Sequence, residues 1–140
     1  MDLLVWSHTY SIENETIDAQ HKKLMQLLND LHNVQSSGGD EGRVGGILND
    51  LVDYTVYHFK AEEELQEKNN YPDLPQHKAV HQKLIQDVQG FLELLKNQDQ
   101  TAKERLMVFL TNWLKDHILG DDKKFGRFLK QNETSVQEDL

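Results

Sequence analysis

Residues 77–81 read His-Lys-Ala-Val-His (HKAVH), two imidazoles four positions apart. On a helix, residues i and i+4 lie one turn apart on the same face, so His77 and His81 would point at the same object. Taken alone, the pair reads more readily as two solvated surface histidines. The residues that follow decide it. Leu84, Ile85, Val88, Phe91, Leu92 and Leu95 extend the face at helical spacing. The stretch therefore opens a helix near Pro75, and the two histidines begin its inward face.

Working outward, SSGGDEG at 36–42, NNYPDLP at 69–75 and KNQDQ at 96–100 are rich in turn formers and separate four periodic segments. The first runs from about Asp18 to Ser36, with Leu24, Leu27, Leu28 and Leu31 on one face. The second runs from about Val44 to Lys68 through Ile47, Leu48, Leu51 and Thr55, with Gly45 and Gly46 in its first turn. The fourth opens at Thr101, whose hydroxyl is expected to cap the Glu104 amide, and continues through Leu106, Leu110, Trp113 and Leu114. No segment alternates with period two, so no sheet is expected. The fold class is all-α: an antiparallel up-down-up-down four-helix bundle with an N-terminal arm. Residues 1–140 form one domain, with an arm at 1–16 anchored by Trp6 and Tyr10, and a polar tail at 131–140 expected to fray.

Composition narrows the chemistry. With 24 acidic and 15 basic residues, the formal charge is -9, unsuited to nucleic-acid phosphates or an anionic membrane surface. The absence of cysteine excludes disulfides, thiolate nucleophiles, iron–sulfur clusters and cysteine zinc sites. Any metal must be held by imidazole and carboxylate. No apolar run approaches a membrane span, and MDLLVW lacks the pattern of a signal peptide, so a cytoplasmic protein is expected.

Against this background the polar residues on the apolar faces stand out. The first helix carries His21 before Leu24 and Leu28. The second continues from Thr55 to His58 and Glu62, the third begins with His77 and His81, and the fourth passes from Trp113 and Leu114 to His117. Each helix thus aims at least one imidazole inward. A single buried histidine is usually bonded to a neighbour. Five together with a carboxylate, unpartnered, would each cost about 1–3 kcal/mol. Convergent imidazole and carboxylate groups on facing helices are how bundle cores hold metals. His8 lies in the arm and His32 lies about 16 Å along the axis from His21, so both are read as ordinary polar residues. The fourth helix must add a carboxylate. HILGDD offers Asp121 at i+4 from His117 and Asp122 at i+5; regular geometry prefers Asp121, Gly120 loosens the register, and periodicity leaves the choice open.

Five imidazoles and two carboxylates are too many for one ion. Two octahedral ions offer about twelve positions. Five imidazoles, two bridging carboxylates and one bridging oxide or hydroxide leave a single vacancy, where a small ligand binds. Four-coordinate zinc would leave several of these residues idle, and Lys78 stands where the zinc-protease motif requires glutamate.

IDAQHKKL at 17–24, HFKAEE at 58–63, HKAVH at 77–81 and WLKDHILGDD at 113–122 together resemble the bacterial hemerythrins, non-haem di-iron oxygen-binding proteins. VWSHTYSI at 5–12 is similar to that family's arm, and the resemblance spans about residues 5–130 in order. It implies two irons per chain with an oxo or hydroxo bridge. By the resemblance, His77, His81 and His117 bind one iron, and His21 and His58 bind the other, which keeps the open position. Glu62 bridges both. The family's spacing selects Asp122 over Asp121 as the second bridge. Dioxygen is the implied ligand, in a pocket lined by Leu114, with Trp113 and Ile118 beside it. Many family members carry methionine just after the HFKAEE-like motif; this chain has Leu65 and Gln66 there.

The function expected is therefore reversible dioxygen binding by a carrier, store or sensor, not an enzyme. A di-iron peroxidase or nitric-oxide scavenger on the same ligands is the alternative. Another is a helical interaction module with adventitious metal, which predicts no stoichiometric iron. A sensing role would need a signalling or oxygen-using protein partner, since the sequence contains no signalling domain.

Overall fold

The computed structural model of the chain describes residues 3–38, 41–99 and 101–138, with side chains except at 41 and 133–138. Helix α1 spans Glu15–Ser36. It starts a turn ahead of Asp18 because Asn14 caps it, its side-chain oxygen accepting from the Ile17 amide at 3.0 Å. Helix α2, Glu41–Lys68, passes through Gly45 and Gly46 unbroken. Val44, Leu48 and Leu51 on its inner face are buried, and their burial outweighs a glycine cost of about 1 kcal/mol each. Helix α3, Leu74–Lys96, places Pro75 in its first turn, where a missing N–H costs nothing.

Helix α4 spans Ala102–His117. The expected Thr101 cap on Glu104 does not form. The Thr101 hydroxyl instead donates to Asp99 Oδ1 at 2.8 Å, and the Thr101 amide donates to the same oxygen at 2.9 Å. A charged acceptor two residues upstream outcompetes the role assumed for that hydroxyl. After His117 the chain does not leave the helix. A π turn, Ile118–Asp122, leads into α5, Lys123–Glu138, so α4, the π turn and α5 form one rod. Of the tail expected to fray at 131–140, the backbone is helical to Glu138, and residues 139–140 lie outside the described residues. Residues 1–2 of the expected arm also lie outside them.

Helix α1 packs on α2, α2 on α3, α3 on α4 and α4 back on α1, a closed ring of sequential neighbours. That is the up-down-up-down four-helix bundle, with no strand among the described residues. Among the described residues, no helix is long and apolar enough to cross a membrane.

Most of the bundle is filled by one apolar cluster that includes Leu28, Leu31, Leu51, Leu84 and Leu106. A smaller cluster of Ile12, Ile17, Tyr71 and Phe125 is separate from it. The arm is tied down by a two-way amide pairing. The Leu4 N–H donates to Asn29 Oδ1 at 3.0 Å, and Asn29 Nδ2 donates to the Leu4 carbonyl at 2.7 Å. Leu4 and Ile12 are its buried anchors, while Trp6 and Tyr10 are half-buried against the core. Gly126 lets the arm approach α5. A Cβ there would lie 2.6 Å from the Ile12 carbonyl oxygen.

Candidate metal centre

The bundle brings His21, His58, Glu62, His77, His81 and His117, which helical spacing turned inward, together with Asp122, and all seven are buried. Two overlapping groups emerge. Glu62, His77, His81, His117 and Asp122 offer atoms within 4.8 Å of one another, and so do His21, His58, Glu62 and Asp122. Both carboxylates belong to both groups, and their oxygens are divided between them. Asp122 Oδ1 lies 3.2 Å from His77 Nε2 and 3.1 Å from His117 Nε2, while its Oδ2 lies 3.0 Å from His21 Nε2. Glu62 Oε1 faces His77 and His81, and its Oε2 lies 3.1 Å from His58 Nε2.

Asp122 reaches this position through the π turn. In a regular α-helix a residue at i+5 points about 140° around the axis from residue i. The wider π turn takes up one extra residue and brings Asp122 onto the His117 face. Asp121, which regular geometry favoured, is turned outward: its side chain is 52% exposed and its Oδ2 accepts from His117 Nδ1 at 3.0 Å.

Three rings have partners on the nitrogen facing away from the cluster. His58 Nδ1 bonds Gln20 Oε1 at 2.7 Å, His81 Nδ1 bonds Glu63 Oε2 at 2.8 Å, and His117 Nδ1 bonds Asp121. These bonds turn each Nε2 inward, where it would offer its lone pair to a metal. Sequence reading passed over Gln20 and Glu63. The signal was adjacency, since each sits directly beside an inward residue, His21 and Glu62. Stacking fixes two rings further: Phe59 lies on His81 at 3.7 Å and Trp113 on His117 at 4.4 Å.

Without metal, protons hold the cluster together. Burial disfavours charge on His21, yet hydrogen bonds to Asp122 and Glu62 outweigh it and raise its pKa to about 9. The same balance raises His77 to about 10. His117 rises to about 9 against its burial, chiefly through the charge of Asp122. His81 goes the other way. Burial lowers it to about 3, so its bare Nε2 accepts from His117 Nε2 at 3.1 Å. Burial and the Asp122 charge push Glu62 up, but bonds from His21, His58 and His77 hold it at about 2. Asp122 is held well below its usual range, against burial, chiefly by the charge of His117.

His21 Nε2, His77 Nε2 and all four carboxylate oxygens of Glu62 and Asp122 are buried, and their close contacts are with other members of the cluster, short of regular hydrogen-bond geometry. Buried polar atoms of this kind require compensation. An all-nitrogen-and-oxygen donor set with two shared carboxylates fits a pair of octahedral-type ions.

A cavity of about 30 Å³ adjoins the cluster. Leu114 and Trp113 line it, together with Leu24, Leu28, Phe59 and His58. Ile118, expected beside it, is packed instead into the apolar core and is not on the cavity wall.

The family model described as the hemerythrin HHE cation binding domain matches residues 13–129. A bacteriohemerythrin of Stenotrophomonas maltophilia is 37% identical over 130 residues, covering 93% of this chain and 84% of that protein. A hemerythrin-like protein of Naegleria gruberi is 35% identical over 120 residues, covering 86% and 88%. A crystal structure of wild-type hemerythrin aligns with a TM-score of 0.78 at 30% identity, covering 89% of this chain and 96% of that one.

Proposed function

Because the chain belongs to the hemerythrin family, we propose that it binds dioxygen reversibly at a pair of non-haem irons in the bundle core. The observation that carries this reading is the division of the two carboxylates, one oxygen of each toward each histidine group. His77, His81 and His117 would hold one iron, His21 and His58 the other, with Glu62 and Asp122 bridging beside an oxo or hydroxo group. When bound, the iron pair supplies the electrons and the open coordination position that dioxygen needs.

The chain supplies the surroundings. Leu24, Leu28, Leu110, Trp113 and Leu114 give the cavity an apolar wall beside His58, His117 and Asp122. Such a wall admits a small apolar gas and disfavours water and anions. Gln20 holds the His58 ring through its Nδ1, and Asp121 does the same for His117. A carrier, store or sensor role all use these same features; sensing would add a protein partner.

The wall also weighs against an enzyme. Beyond His58, His117 and Asp122, its polar residue is Thr55, whose hydroxyl proton is given to the Leu51 carbonyl at 2.7 Å. No group in the wall is left to act as a general acid or base on a substrate. The test is reversibility. The iron-loaded, reduced protein should become coloured in air and lose the colour when oxygen is swept away. Colour that decays without recovery, or turnover of peroxide or nitric oxide in its place, would favour the di-iron enzyme.

A further inference from the structure

Gln66 is fully buried, and neither atom of its side-chain amide has a hydrogen-bond partner. It sits four residues after Glu62 on α2, one turn along the same inward face. Burying an amide unpaired costs about 1–3 kcal/mol. A glutamine this deep therefore marks a polar contact.

Glu62, one turn before Gln66, has its Oε2 3.7 Å from His21 Nε2, so His21 is the neighbouring ring. Once metals occupy the cluster, the inward nitrogens and the carboxylate oxygens are accounted for. Of the buried unpartnered atoms, His21 Nδ1 and the two Gln66 amide atoms are then left over. A histidine bound to metal through Nε2 carries its proton on Nδ1, so His21 needs an acceptor there. His58, His81 and His117 already have theirs.

We propose that Gln66 is the positioning residue for His21: its amide oxygen accepts the His21 Nδ1 proton through one ordered water. The assignment rests on the di-iron reading above. It also completes a pattern. His58 is held by the neutral amide of Gln20, whereas His81 and His117 are held by the carboxylates of Glu63 and Asp121. With Gln66 on His21, both histidines of the two-histidine ion have neutral amide partners, and two of those on the other ion have anionic ones. An anionic acceptor makes an imidazole a stronger donor and a neutral one leaves it weaker. The side that keeps the open position is thus the less electron-rich of the two.

The test uses the iron-loaded protein and its solvent-exchangeable ring N–H resonances, shifted by the paramagnetic ions. Gln66→Met keeps volume and removes the acceptor. It should abolish the exchange protection of one ring N–H, and Gln20→Met should affect a different one. Iron should pass to a chelator about tenfold faster from Gln66→Met than from wild type. Gln66→Glu restores an acceptor, so it should regain the protected resonance and lower the midpoint potential of the iron pair. Full iron with unchanged ring N–H resonances in Gln66→Met overturns this assignment alone. Failure of the wild type to take up iron overturns the di-iron reading and this assignment with it.

Discussion

Replacing Asp122 by Ala removes a carboxylate lying 3.0 Å from His21, 3.2 Å from His77 and 3.1 Å from His117 ring nitrogens, on both sides of the cluster. Asp122→Ala should therefore abolish iron retention. Asp121→Ala removes only the partner of His117 Nδ1 and should weaken retention about 10–100-fold. Iron content after gel filtration checks the order, and equal losses would mean the wrong aspartate had been assigned to the bridge. Leu114→Ala enlarges the cavity wall and should speed bleaching of the oxygenated band while leaving iron content unchanged. At this scale the inward histidines and Glu62 were legible because helical spacing alone places them. Gln20, Glu63 and Gln66 were not. The first two are polar neighbours of inward residues, indistinguishable by periodicity from solvated side chains. Gln66 continues the face of Glu62 but carries no charge to draw attention.

Between His117 and Lys123 the helix had to widen, and sequence spacing could not say so. Periodicity assumes a constant turn, and one absorbed residue reverses the choice between two adjacent aspartates. Only the resemblance selected Asp122. The caps show the same limit: Asn14 extended α1 and Asp99 captured Thr101, because local side-chain competition decides helix ends. Two glycines of the fourth rod separate the effects that matter. At Gly120 a Cβ meets nothing within 4 Å, so Gly120→Ala should retain iron and stabilise by about 0.5–1 kcal/mol. At Gly126 a Cβ collides with the Ile12 backbone at 2.6 Å, so Gly126→Ala should lose about 1–3 kcal/mol as the arm is pushed off α5. Paired thermal melts give both signs, and similar melting of the two variants would mean the arm is not held where described.

For the molecule as a whole, bundle architecture and site share one cause: four inward faces meet, and at one level they carry ligands in place of leucines. That much was legible in the sequence, because both rest on the same periodicity. What was not legible is the proton balance. In the metal-free protein His21, His77 and His117 titrate near 9 to 10. They therefore stay protonated at neutral pH while their unfolded counterparts, near 6.5, do not. Their stabilisation is full below about pH 6.5 and is lost as pH rises toward 9 to 10. His81 is lowered to about 3, so below pH 6.5 the unfolded chain takes up a proton that the folded one refuses, and stability falls with acid. Glu62, held at about 2, and Asp122 lose their contribution lower still. The metal-free protein should be most stable near pH 6.5. Metal must displace the three imidazole protons, and a hydroxo bridge drawn from water gives up one more, so uptake should release about four protons at pH 7, and the gain in melting temperature on loading should grow from pH 6.5 to 9. Calorimetry in buffers of different ionisation enthalpy counts those protons. No release, or a gain that shrinks with pH, would contradict the assignment of these histidines to the metal.

The proposed function requires one open position on one pair of irons per chain. Titrating the anaerobic, reduced, iron-loaded protein with measured dioxygen while following the visible band tests it most directly. Saturation is expected at one dioxygen per two irons, with full bleaching on deoxygenation and the same endpoint on a second cycle. Saturation at one dioxygen per iron, or a band that never forms, would contradict it.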